Sequence, residues 1–260
     1  MYVKPKKRLG QHFLKDNNIA NKIVNSLDDS KKIKVLEIGS GMGILTDFLL
    51  KKDNFDLHLI EIDSKLVDYL KKEYPEIKQK IIHDDFLKFD INKYFNEKIS
   101  IIGNFPYNIS SQIFFKTIEN RDKIDNLVGM IQKEVAERIV SLPGNKTYGI
   151  LSVLLQAFYN IEYLFTINEN VFQPPPKVKS AVIRLIRNDT KKLDCNEKLF
   201  FKIIKMGFNQ RRKMLRNSLK SILLNLNIDN ELFLKRPEQL NVNEFVKLTN
   251  VIENIIKNNK

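Results

Sequence analysis

The sequence predicts an α/β protein, a mainly parallel sheet followed by a small all-helical second domain. Three observations predict it. Short apolar runs alternate with helical periodicity over most of the chain. A glycine-rich turn, Gly39-Ser40-Gly41-Met42-Gly43, stands where the first such run hands over to a helix. Beyond Arg187 only helical periodicity remains.

In order, Ile33 to Ile38 reads as a buried strand, with a helix from about Ile44 to Lys51 after the glycines. Phe55 to Ile62 is a second strand and Ser64 to Glu73 a helix, with Asp63 placed to cap it. Ile81 and Ile82 mark a third, short strand, and a fourth ends at Ser100 to Ile102. Residues 110–119 read as a helix, Asp125 to Gln132 as a fifth strand leading into a helix through Ile139, and 146–158 as another helix. Ile161 to Ile167 and Ala181 to Ile186 are late strands without a clear helix between them, which suggests an antiparallel hairpin at one edge. The polar run Asn188 to Lys192 is a linker, so the predicted boundary lies between 1–188 and 189–260. Leu199 to Ile204, Leu215 to Leu223 and Phe245 to Ile255 carry the helical repeats of the second domain.

The 260 residues are 43% hydrophobic and 29% charged, an ordinary globular balance. The formal net charge is +13. That charge fits a polyanionic partner, since each cation held near a phosphate releases a counterion. It equally fits a lysine-biased solvated surface. One cysteine, Cys195, excludes an intramolecular disulfide, and His12, His58 and His83 are far apart in sequence, so no metal is expected. No apolar stretch approaches the roughly 20 residues of a membrane span, and the basic N-terminus lacks the apolar run of a signal peptide. A cytoplasmic, membrane-free monomer is the expectation.

Glycines between a strand end and a helix mark where an open α/β sheet binds a nucleotide-like ligand. The Gly-x-Gly-x-Gly spacing of Gly39, Gly41 and Gly43 suits the methionine-nucleoside part of S-adenosylmethionine better than a pyrophosphate, and no Lys-Ser/Thr pair follows to make a phosphate loop. Glu61 ends the second strand about 20 residues on, where a carboxylate accepts from ribose hydroxyls. Asp84 and Asp85 follow the third strand. Either can accept from an adenine amino group, with the next residue covering the ring.

Asn104-Phe105-Pro106-Tyr107, after the fourth strand, is the sharpest motif. The adenine N6 lone pair is delocalised into the ring, so attack by nitrogen improves when acceptors hold its two N–H bonds. The Asn104 side-chain oxygen and the Phe105 carbonyl suit that task. Pro106 sets the turn and Tyr107 can stack on the base.

At these residues the chain resembles the ribosomal RNA adenine dimethyltransferase family, most closely its bacterial small-subunit branch. Leu9 to Leu14, Glu37 to Gly43, Glu61, Asp85, Asn104 to Tyr107 and Val171 to Val178 carry the resemblance, which runs from about Lys6 to the last helix. It implies a Rossmann-like seven-strand class I methyltransferase domain with a helical C-terminal rRNA-binding domain. It also implies transfer of four methyl groups from S-adenosylmethionine to two adjacent adenosines in a hairpin near the 3′ end of small-subunit rRNA, during ribosome biogenesis. Cofactor contacts implied by the family fall on His12, Leu14, Gly39, Glu61, Asp85 and Asn104, with Gly41 in the same turn; of the two acids it selects Asp85. His12 stands where the family usually has Asn, and Phe105 where it usually has Leu. Phe172 matches the aromatic residue that packs on an extruded adenine. Lys6, Lys7 and Arg8, preceded by Lys4, with Arg211, Arg212, Lys213 and Arg216 at the opening of a second-domain helix, are the expected rRNA contacts, pairing of some of them with acids across the domain interface being the alternative. Three alternatives stand beside this reading: a large-subunit rRNA dimethyltransferase, a non-catalytic RNA-binding relative, and a DNA adenine methyltransferase. The run Phe208 to Ser218 favours the small-subunit branch over the first of them, and the intact Gly39–Gly43, Glu61 and Asn104–Tyr107 favour an enzyme over the second. Against the third, the chain has Phe105 where DNA enzymes usually carry Pro, and it shows no target-recognition domain.

Overall fold

A computed structural model describes residues 5–223 and 230–258. Near the N-terminus lie a two-residue strand, β1 (Phe13–Leu14), and helix α1 (Asn17–Val24), capped by the Asp16 carboxylate on the Ile19 N–H. Alternation then follows: β2 (Ile33–Ile38), α2 (Thr46–Leu49), β3 (Phe55–Glu61), α3 (Ser64–Glu73), β4 (Ile81–His83), α4 (Ile91–Tyr94), β5 (Ile99–Asn104), α5 (Ser110–Glu119), β6 (Ile124–Gln132) and α6 (Lys133–Val140). Helix α7 (Ile150–Gln156) leads to β7 (Tyr159–Ile167), the short β8 (Phe172–Gln173) and β9 (Ser180–Arg187). The remainder is helical: α8 (Glu197–Asn209), α9 (Leu215–Ser218) and α10 (Val242–Asn258).

Seven strands form one sheet in the order β4-β3-β2-β5-β6-β9-β7. Neighbours from β4 through β6 are parallel, and β9 runs antiparallel to β6. β2, β3 and β5 each bury four or more consecutive residues. Consecutive side chains point to opposite faces, so both faces of the sheet are covered. The chain leaves β2 toward β3 and β4, then returns to β5 on the other side of β2. The crevice beyond the carboxyl ends of β2 and β5 is therefore the switch point where such sheets bind ligands. β1 and β8 pair separately, with Phe13 opposite Gln173 and Leu14 opposite Phe172.

The expected elements are present with three differences. The helix after the glycines is shorter, Thr46–Leu49. Helix α7 begins only after Gly149, whose backbone is extended, and so starts later than the expected residue 146. The two late strands are neighbours at one end of the sheet, as expected, with β7 at the edge and β9 between it and β6. Arg211 to Lys213 do not open a helix: α8 ends at Asn209, a turn follows, and α9 starts at Leu215 and stops at Ser218, short of Leu223. β1, β8, α1 and α4 were not foreseen.

The chain divides into two compact units, Met1–Ala136 with Asn160–Arg187, and Glu137–Tyr159 with Asn188–Lys260. Beside the break at 187/188, the segment Glu137–Tyr159 also belongs to the second unit, so the chain visits that unit early. That unit buries Phe200, Ile203, Ile204, Leu215, Leu219, Phe245, Leu248 and Ile252. Phe208 lies edge-on to Tyr148 and tilted against Phe245, at 6.1 and 6.2 Å between ring centres.

Two details of the first unit shape the crevice. Gly103 of β5 and Gly129 of β6 are register partners, and the fully buried Phe105 ring occupies the space both leave. A Cβ at Gly129 would stand 2.5 Å from the Phe105 ring, and one at Gly103 would stand 2.6 Å from the Ile38 carbonyl. At the end of β2, Glu37 is buried and accepts from Thr46 Oγ1 at 2.7 Å. Burial pushes its carboxyl from the ordinary 4.5 up to about 8, against the hydrogen bond from Thr46.

Gly129→Ala should cost about 1–3 kcal/mol by overpacking, read as a lower urea midpoint. Adding Phe105→Leu should recover part of the loss; strict additivity of the two changes would contradict the packing account. Glu37 binds its proton more tightly folded than unfolded. Its contribution to stability is therefore full below about pH 4.5 and lost as pH rises through about 8. The stability of Glu37→Gln relative to the wild type should accordingly grow across that window in denaturant titrations, and a constant difference would refute the assignment.

Candidate functional site

Positive φ angles at Gly39 (67°), Gly41 (58°) and Gly43 (84°) turn the chain sharply off β2, a region L-residues with side chains rarely enter. At Gly41 the absent Cβ also leaves room for the Phe13 ring, which would lie 3.1 Å from it. At the end of β3, Glu61 is 4% exposed, and its two oxygens accept from the backbone N–H groups of Gly41 (3.2 Å) and Asp63 (3.0 Å). Burial raises its pKa and those N–H donors pull it back. Two of its roughly four lone-pair sites remain for a ligand. Asp63 caps α3 through the Lys65 N–H, as expected, and its Oδ1 also accepts from Lys6 Nζ at 2.6 Å.

After β4 the acids divide their tasks. Asp84 is exposed, and its carboxylate accepts from the Asp85 N–H. Asp85 is half-buried and spends one oxygen on the Leu87 N–H, which tightens the turn that brings Phe86 inward. Phe86 is 4% exposed.

Asn104 ends β5. Its amide Nδ2 donates to the His12 carbonyl at 2.7 Å, which orients the amide and leaves Oδ1 as the acceptor. Phe105 holds the turn with its N–H on the Met130 carbonyl, and its ring packs edge-on against Phe114. The Tyr107 hydroxyl meets the buried Ser180 Oγ at 2.5 Å, and burial raises its pKa. His12 lies against the Tyr107 ring, 5.4 Å between centres and 28° between planes, and its Nδ1 is 2.7 Å from the Pro174 carbonyl. A carbonyl only accepts, so Nδ1 carries the proton.

A cavity of about 150 Å³ brings together His12, Gly39, Gly41, Glu61, Asp85, Asn104, Phe105, Pro106 and Tyr107. Leu14 and Phe172 do not line it. Leu14, 5% exposed, closes a smaller recess of about 30 Å³ behind Gly39 and Gly41. The Phe172 ring is 1% exposed and belongs to the hydrophobic core of the first unit, where β8 pairs with β1. Its place in the structure is that of a core residue holding the β1 segment rather than a cavity wall. Sequence reasoning missed Gln11, Ile62, Asn108 and Ile109, which also line the cavity. The signal for Ile62 was available, an apolar residue directly after the strand-end acid; in the structure it is 47% exposed.

Of the basic residues, Lys4 lies outside the described residues. Lys6 is held by Asp63, whereas Lys7 and Arg8 are exposed. Arg211 donates to the Asn145 carbonyl at 3.0 Å and sits 4.0 Å from Glu238, so it is engaged within the second unit. Arg212, Lys213 and Arg216 are exposed. Among the described residues no group of acids, histidines and cysteines is arranged to hold a metal, and no helix is long and apolar enough to cross a membrane.

A family model described as ribosomal RNA adenine dimethylase matches residues 3–257. A protein of Bacteroides thetaiotaomicron named Ribosomal RNA small subunit methyltransferase A is 58% identical, over 98% of this chain and 96% of its own. A protein of the same name from Flavobacterium johnsoniae is 57% identical, over 96% and 97%. The crystal structure of a dimethyladenosine transferase from Plasmodium falciparum superposes with a TM-score of 0.78 at 26% identity, over 94% of this chain and 98% of that one. The 23S rRNA methyltransferase ErmE shares the fold, with a TM-score of 0.66 at 23% identity, over 92% and 99%. With the glycine turn, Glu61, Asp85 and the Asn104–Tyr107 turn gathered on one cavity, the chain belongs to the ribosomal RNA adenine dimethylase family.

Proposed function

We infer that this protein dimethylates N6 of two adjacent adenosines in a hairpin near the 3′ end of small-subunit rRNA, with S-adenosylmethionine as methyl donor, during ribosome biogenesis. The observation that carries the reading is the anchored Asn104 amide on the wall of a cavity that also holds Glu61 and Asp85. The large-subunit alternative is disfavoured by the names of relatives 57–58% identical, against 23% for ErmE.

The residues fit the donor. Glu61 keeps acceptor sites for two ribose hydroxyls, Asp85 keeps an oxygen for an adenine amino group, and Ile62 and Phe86 offer apolar surface for a purine. The glycine turn leaves room for the methionine arm. When bound, the cofactor supplies a methyl group already activated as a sulfonium. Asn104 Oδ1 accepts from one N6–H of the target adenine, and the Phe105 carbonyl is assigned the other, so nitrogen density is directed out of the ring plane. Tyr107, with His12 against one face, offers its other face to the base. Positioning and electrostatics then carry the acceleration, with no strongly basic side chain required. Phe172 acts in this scheme by holding β8 against β1. The exposed cations Lys7, Arg8, Arg212, Lys213 and Arg216 are assigned to phosphates, while Lys6 and Arg211 serve internal pairs. Assembling small subunits in the cytoplasm are the proposed substrate, and a monomer suffices.

Asn104→Ala should lower methyl transfer to unmethylated small subunits by about 10²-fold or more, by analogy with loss of a group aimed at developing charge. Thermal unfolding should be little changed, and mapped adenine methylation at wild-type rate would overturn the mechanism. Replacing Arg212 and Arg216 together by Gln should weaken rRNA binding and flatten the log Kd against log salt slope by about 0.7–0.9 per lost contact. An unaltered slope would remove both from the interface.

A further inference from the structure

Helix α5 begins three residues after Tyr107, and the Ser110 hydroxyl bonds the Tyr107 carbonyl. Its buried face is Ile113, Phe114, Thr117 and Ile118. Lys116 stands on the flank of that face, half-buried, and does not line the cavity. Its ammonium instead reaches the segment after β4. Nζ donates to the Phe89 carbonyl at 2.5 Å and lies 5.2 Å from the centre of the Phe86 ring, within cation–π range.

We propose that Lys116 is a positioning residue for the cofactor cavity, pinning the Phe89 carbonyl and the Phe86 ring and so setting the Asp85–Phe86 wall against the purine of the bound nucleoside. The proposal rests on reading the cavity as a cofactor site. The Asp84 N–H on the Glu61 carbonyl fixes the start of the turn that Lys116 holds, and the Phe89 ring packs on Tyr94 and Phe95 at its end; between them the backbone bonds are local. Asp85 closes the turn through the Leu87 N–H, and the Lys88 and Phe89 N–H groups return to the Asp85 carbonyl. These last bonds are internal to the turn. Lys116 supplies a bond from outside it, made by the helix that starts at the acceptor motif. One short helix thereby registers the two halves of the site. A burial cost accompanies this: desolvation lowers the Lys116 pKa, and the nearby acids Asp85, Glu119, Asp84 and Asp90 oppose that. Keeping a half-buried ammonium at that position is costly for a packing role alone, which Met would fill.

The test compares Lys116→Met, Lys116→Arg and Lys88→Met. The last removes an exposed charge from the same turn. Binding of S-adenosylhomocysteine is measured by calorimetry, and methyl transfer is measured with cofactor and rRNA varied separately. Lys116→Met should raise the Kd for S-adenosylhomocysteine and the KM for S-adenosylmethionine by about fivefold, from the lost cation–π contact and hydrogen bond. Its kcat at saturating cofactor and its KM for rRNA should stay within about twofold. Lys116→Arg should restore most of the affinity, and Lys88→Met should bind as the wild type does. Wild-type affinity in Lys116→Met overturns the proposal, as does a loss that Lys116→Arg does not rescue or that Lys88→Met reproduces. Failure of the wild type itself to bind would overturn the cofactor reading and the proposal with it, whereas normal wild-type binding with an unaffected Lys116→Met would remove the proposal alone.

Discussion

The slot between Gly103 and Gly129 is the constraint on which the site depends. Two glycines opposite one another in a parallel strand pair weaken a sheet, since neither brings a side chain to pack. Here the vacated space takes the Phe105 ring, and burying an aromatic side chain more than offsets that loss. With Phe105 locked inside the sheet and its N–H on Met130, Asn104 and Tyr107 on either side of the Phe105-Pro106 pair have few conformations left. The Asn104–Tyr107 turn is thus held by a core contact rather than by its own hydrogen bonds alone.

Around that anchor the polar groups form a closed set. The His12 carbonyl orients Asn104, its ring flanks Tyr107, and its Nδ1–H rests on Pro174. At His12 the ring thus flanks Tyr107 while the backbone holds the Asn104 amide. Glu61 and Glu37 show two uses of a buried acid. Glu61 is compensated by backbone donors at a place where a ligand can use its remaining acceptors. Glu37 lies beneath the glycine turn and is held toward its neutral form by desolvation.

Much of this was legible in the sequence because it is local. The strands around Val35, Leu59, Ile101 and Val128 are continuous apolar runs with turn residues between them, and Asp63 precedes its helix as a cap should. Glu61, Asp85 and Asn104 could be placed because Glu61 and Asn104 end their strands and Asp85 closely follows one, all at the same edge of the sheet. What could not be read depends on distant pairing. The strand Phe13–Leu14 has no pattern of its own and exists only because Phe172 and Gln173 lie opposite it. Phe172 was expected on the base, yet the residues that bury it come from other parts of the first unit, which no local pattern reveals. The basic run after Asn209 reads as the start of a helix. Its exposed turn is set by Leu215 and Pro237 closing on Gly207, again a distant contact.

The order in which the chain visits its two compact units has a consequence for synthesis. Residues of the second unit, Glu137 to Tyr159, are made before the first unit has received its last two sheet strands, and β9 pairs with a β6 that has been waiting since Gln132. Until that strand is translated, β6 presents an open edge, and Tyr107 lacks the Ser180 hydroxyl on which it rests. The Asn104–Tyr107 turn therefore gains its last contact late in translation, and a chain stopped short of Ser180 carries the cavity residues from Gly39 to Asn104 without the hydroxyl that holds the Tyr107 side chain.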